Sequence, residues 1–129
     1  MKVSQVKQLH ESLSGMMLKR LPIKMAFAIQ KNYKALQEVV DFVNEKQDDI
    51  VRKYAKRNDN GEMVQTEDGT GIILADHTGF VTDMEELMNA DMPVEFTKIS
   101  MSDIERCDED KYDSLSPSEV GALEEMIEE

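Results

Sequence analysis

Residues 22–54 read PIKMAFAIQKNYKALQEVVDFVNEKQDDIVRKY, and this stretch decides the fold. Its apolar residues fall at Met25, Ile29, Tyr33, Leu36, Val40, Val43, Ile50 and Tyr54. From Tyr33 onward the steps alternate between three and four, with Gln47 in the one slot where an apolar residue is missing. Side chains three and four apart share one side of a helix, so a single long amphipathic helix with a near-heptad seam is expected. Pro22 suits its first turn, where no N–H is needed, and Asn58-Asp59-Asn60-Gly61 supplies turn-tolerant residues beyond its end. A helix of about 35 residues runs roughly 50 Å, longer than a domain of this size is wide. The rest of the chain must therefore be arranged to cover it.

Working outward towards the start, Val3, Val6, Leu9, Leu13 and Met16 repeat at three and four, with Met17 and Leu18 widening the stripe. A first helix over 3–18 is expected, with Gly15 inside it costing about 1 kcal/mol relative to alanine. Leu21 precedes Pro22, and a residue before proline is pushed out of helical geometry, so the first helix should fold back on the second. It spans only about half of it. The seam from Val40 to Tyr54 must be buried by the C-terminal half or by another copy of the chain.

Beyond Gly61 the period changes. Residues 62–66 and 71–75 are short strand candidates, joined by a turn at Glu67-Asp68-Gly69-Thr70, where Asp-Gly readily takes positive φ. A helix is expected over 81–89, with Thr82 as N-cap and Glu85 three residues on. Residues 94–99 alternate apolar and polar as a half-buried strand does. Ser102 with Glu105 suggests a short capped turn, and 105–113 a polar loop. Ser116-Pro117-Ser118-Glu119 signals a last helix, presenting Val120, Leu123 and Met126 or Ile127. The expected fold is α+β in one domain over 1–129: an N-terminal helical hairpin (1–57) with one long helix, then an acidic part (58–129) with a small antiparallel sheet of about three strands and short C-terminal helices.

The 129-residue chain has a formal charge of −12 that hides an asymmetry. Residues 1–57 carry 12 Lys/Arg against 6 Asp/Glu, a net of +6, and residues 58–129 carry 3 against 21, a net of −18. That sign argues against nucleic acid as ligand. The two halves attract each other, or the acidic half binds a basic partner or imitates nucleic acid. A single cysteine, no apolar run long enough to span a bilayer and no signal-peptide core favour a cytoplasmic protein without a membrane partner.

Candidate chemistry is sparse. His10 and His77 have no second histidine or cysteine at metal-ligand spacing. Cys107 lies among acids that disfavour its thiolate. Residues 56–67 resemble a calcium loop until the first ligand position, which is Lys56 and cannot coordinate a cation. Asp108, Glu109, Asp110 and Asp113 lack the glycine turn of such a site. No phosphate loop or hydrolase signature appears. The expectation is a protein that is not an enzyme and takes no cofactor or metal.

The segment Leu21-Pro22-Ile23-Lys24-Met25-Ala26-Phe27-Ala28-Ile29 is similar to the opening of an uncharacterised family of small phage and prophage proteins of Gram-positive bacteria. The resemblance continues through Arg52-Lys53-Tyr54, Asn58-Asp59-Asn60-Gly61-Glu62 and 115–124. It implies a phage origin and no reaction. With that origin, the expected function is a phage-encoded protein-binding or assembly protein acting through the helical seam. The alternative is an acidic inhibitor of a host defence or nucleic-acid-binding protein. The first reading points to Ile50 and Tyr54 as interface residues of a homo-oligomer, a dimer being favoured. The second points to Asp108, Glu109 and Asp110, with Glu124-Glu125 and Glu128-Glu129, as a surface left exposed and unpaired for a virion component or host factor.

Overall fold

Helix α2 (Ile23–Tyr54) runs through the structure as one unbroken element, and the other elements lie along it. This computed structural model describes residues 1–128. Around α2 are α1 (Val3–Met16), α3 (His77–Asn89), α4 (Met101–Glu105) and α5 (Pro117–Leu123), with 3-10 turns at Arg106–Asp108 and Glu124–Met126.

The repeat at three and four turns Val3, Val6, Leu9, Leu13 and Met16 inward along α1. The helix ends at Met16, so Met17 and Leu18 pass the last turn and face solvent instead of widening the stripe. Pro22 takes the N-cap of α2 with extended ψ, and the chain reverses there. α1 then runs antiparallel to α2, as two contacts show: Lys7 Nζ donates to Gln47 Oε1 at 3.0 Å, and the His10 ring meets Gln37 Oε1 at 2.6 Å while stacking on Tyr33. The polar slot at Gln47 is thus met by the amino group of Lys7 from α1.

α3 covers the remainder of the seam, doubling back along α2 from its C-terminal end. Tyr54 Oη donates to Asp83 Oδ2 at 2.7 Å. Asp76, not Thr82, caps α3, accepting from Gly79 N at 3.0 Å. From Ala90 the chain crosses towards the start of α2, where Ile99, Ile104, Cys107, Leu123 and Met126 join α1 and α2 in one apolar core.

The expected sheet is absent: no strand forms among the described residues, only isolated bridges, so the fold is predominantly helical and not α+β. The hydrogen bonds give the reason. Lys56 N donates to Ile73 O, Ile73 N to Val64 O, and Val64 N to Lys56 O. Three short extended segments close on one another in a ring, paired two by two through single antiparallel bridges (Ala55–Leu74, Arg57–Met63 and Gln65–Ile72), and no pair continues past its one bridge into a ladder. Gly61 and Gly69 make the two reversals at φ 80° and 72°. Residues 94–99 are extended, with Val94 and Phe96 half-buried as the alternation required. Thr97 is paired by a side chain, Asn32 Nδ2 donating to Thr97 O at 2.9 Å and Asn32 Oδ1 accepting from Thr97 N at 2.7 Å, while Ile99 forms a single parallel bridge with Ile127. Asn32, only 1% exposed, thus supplies one strand-like pairing from a helix.

Near the end, Ser116 and Glu119 form the expected capping box with Pro117 in the first turn. Ser100, not Ser102, caps α4. Part of the expected polar loop is instead the 3-10 turn Arg106–Asp108, because Cys107 buries itself against Met25.

Candidate interaction surface

The sequence-predicted residues lie at opposite ends of α2. Tyr54 ends that helix, whereas Cys107 Sγ sits 3.6 Å from Met25 Sδ and places Asp108–Asp110 beside its start. Between Met25 and Tyr54 lie roughly 40 Å of helix, so the two groups form no common site.

At the C-terminal end, a cavity of about 360 Å³ between α2 and α3 is lined by Lys46, Asp49, Ile50, Lys53, Asp83 and Leu87. Ile50 is half-covered by α3, and the hydroxyl of Tyr54 is used within the chain. Lys53 Nζ reaches Asp83 Oδ2 at 3.2 Å and lies 5.0 Å from the centre of the Tyr54 ring. The bond to Asp83 raises the Tyr54 pKa. Tyr54 and then Asp83 raise that of Lys53, while the Tyr54 hydroxyl and then Lys53 lower that of Asp83. Each group is held in its ordinary charge state at neutral pH. A general base or nucleophile needs the opposite tuning, so the trio acts as a clamp joining α2 to α3.

At the other end, Asp108 and Asp110 are exposed and make no ion pair among the described residues. Glu109 lies 3.7 Å from Arg106 Nε and 3.6 Å from Lys111 Nζ. The cations beside this acidic loop are therefore its own, Arg106 and Lys111. Glu124, Glu125 and Glu128 are exposed, and Glu129 lies outside the described residues. Burial first, then Asp108 and Asp103, raise the pKa of Cys107. Among the described residues no group of three His, Cys, Asp or Glu could hold a metal, and no helix is long and apolar enough to cross a membrane.

The largest exposed apolar side chains lie elsewhere. Leu18 is 91% exposed in the turn between α1 and α2, Ile23 71% and Phe27 60% on the outward face of α2, and Phe42 45% further along it. Beside Leu18 a shallow cavity of about 250 Å³ is lined by Met16, Met17, Lys19, Leu21, Ala26 and Ile29. Two ion pairs brace this corner: Lys19–Glu119 at 2.7 Å and Arg20–Asp113 at 3.3 Å. The sequence carried a signal for the corner. Ile23 and Phe27 are two residues from Met25 and so fall across the helix from its buried stripe, a position where an apolar residue has no intramolecular use. No family model, curated protein or solved structure matches the chain.

Proposed function

We propose that this chain is a non-enzymatic, phage-encoded protein that binds another protein in assembly, acting in the host cytoplasm. The surface is the apolar corner at the α1–α2 turn rather than the seam, whose covering α1 and α3 already supply. The observation that carries the reading is Leu18, 91% exposed beside Ile23 on a braced turn. Fully burying a leucine or isoleucine side chain contributes about 1.5–3 kcal/mol each, so a partner covering both gains a compact apolar contact.

The test is affinity capture from phage-infected cells with the wild type and with Leu18→Glu/Ile23→Glu, followed by measuring the recovered partner's affinity against salt. The expected outcome is loss of the partner in the double variant, and wild-type affinity that changes little with ionic strength. Recovery of the same partners by both proteins refutes the reading.

A second reading, an acidic inhibitor of a host factor, is favoured by the exposure and lack of ion pairs at Asp108 and Asp110. Under it, changing Asp108, Glu109 and Asp110 together to Asn or Gln abolishes binding, and wild-type affinity falls steeply as salt rises. The melting temperature should hardly move, since exposed ion pairs contribute only about 0–1 kcal/mol each.

A further inference from the structure

The outward face of α2 carries a second regularity, which meets the corner at Leu18 only in Phe27. Lys24, Phe27, Lys31, Glu38, Phe42 and Glu45 follow one another at helical spacing, with Lys34 and Ala35 at the centre of the run. All six lie away from the stripe formed by Met25, Ile29, Leu36 and Val43, and all six are exposed. None of the four charged ones makes an ion pair among the described residues.

Read from either end, the stripe has the same spacing and opposite charge. Lys24 and Glu45, Phe27 and Phe42, and Lys31 and Glu38 are each equidistant from the midpoint between Lys34 and Ala35. We infer that two copies of the chain pair antiparallel along this face of α2, about a two-fold axis at that midpoint. A two-fold interface presents one patch to itself and so must be self-complementary. Each Lys24 then faces Glu45 of the second copy, each Lys31 faces Glu38, and each Phe27 ring packs on Phe42. Every contact occurs twice. Ala35 beside the axis lets the helices approach closely where they cross. In a parallel pairing each residue would meet itself, setting Lys31 on Lys31 and Glu38 on Glu38, so the charges select the antiparallel arrangement. Ile50 and Tyr54, half-covered by α3, take no part.

Sedimentation equilibrium from low micromolar to sub-millimolar concentration tests this, with far-UV circular dichroism confirming that each variant is folded. The wild type is expected to be a dimer. Lys31→Glu and Glu38→Lys should each raise the dimer Kd about tenfold, since each loses two pairs and gains two repulsions. Combined in one chain, they invert each pair instead of breaking it, and the Kd should return to within about threefold of wild type. Phe42→Glu should raise it about a hundredfold by placing two carboxylates against rings. As a second measurement, Lys24→Glu/Lys31→Glu and Glu38→Lys/Glu45→Lys should each dimerise poorly alone and form a heterodimer when mixed. A strict monomer, single reversals without effect, or a double swap or mixture that fails to recover each overturns the inference. None of these substitutions touches Leu18 or Ile23, so partner capture is scored separately.

Discussion

Replacing Asn32 by alanine should destabilise the protein far more than its polar character suggests. The side chain is buried and makes two hydrogen bonds to the backbone of Thr97, at 2.9 and 2.7 Å, and a longer contact to Met126 Sδ at 3.2 Å. A net hydrogen bond contributes about 0.5–1.5 kcal/mol, and a partly buried backbone group left without a partner costs about 1–3 kcal/mol. Thr97 is near the surface and water can reach part of its backbone, so the lower part of each range applies. The change should therefore cost about 2–4 kcal/mol, which for a domain of this length lowers the melting temperature by roughly 8–15 °C. Urea unfolding followed by circular dichroism measures it, with an unchanged slope showing that only stability moved. Asn32→Asp separates the two bonds, since the carboxylate keeps an acceptor for Thr97 N but loses the donor to Thr97 O. Burial raises the introduced carboxyl's folded pKa above its unfolded value. Relative to wild type, its stability should therefore be best below the unfolded value near 4 and fall as pH rises from there through the raised folded value. An alanine variant within about 0.5 kcal/mol of wild type, the ordinary range for inconsequential surface changes, would refute the reasoning.

Three further outcomes are expected. Gly79→Ala should destabilise by about 1–3 kcal/mol, because an added Cβ meets Tyr54 Cε1 and Asp76 Oδ2 at 2.6 Å, whereas Gly15→Ala has open space around it and should stabilise by about 0.5–1 kcal/mol; thermal melts of both variants check the contrast. Bonds from Thr66 Oγ1 and then Thr70 N hold the Asp68 carboxyl at about 2, below its ordinary 3.8, so its contribution to stability is complete above 3.8 and lost as pH falls through about 2. Melting temperature against pH should accordingly be flatter in that window for Asp68→Asn than for the wild type. Cys107, buried and with its thiol pKa raised, should resist a thiol reagent at pH 8 in the folded protein and react at once in denaturant, a difference that absorbance of the released thiolate reports.

The helices were legible because their signals are local. The repeat at three and four from Val3 to Met16 and from Met25 to Val43 states which side of each helix turns inward. Pro22 and the Ser116–Glu119 box mark termini by backbone chemistry that needs no distant partner. Local signals failed where the outcome depended on a competitor. Thr82 and Ser102 offered reasonable caps, but Asp76 and Ser100 lay nearer to where tertiary packing begins each helix. Alternation at 94–99 pointed to Val94 and Phe96 as inward residues, yet the pairing that a strand needs was divided between the side chain of Asn32 at Thr97 and one parallel bridge at Ile99. The acidic half carried its charge openly in composition. The cations paired with Glu109 are near neighbours in the chain, Arg106 three residues before it and Lys111 two after.

The sequence by itself therefore determined a long central helix, a first helix folded against it, the helix start at Ser116 and the charge asymmetry, since each follows from residue type and spacing within a few turns. Only the tertiary structure decided that α3 covers the far seam, that three extended segments close as a ring instead of a sheet, and that Leu18, Ile23 and Phe27 remain uncovered. Those outcomes turn on which surfaces meet across dozens of residues. Backbone groups and apolar side chains settle for the partners that the whole chain brings within reach.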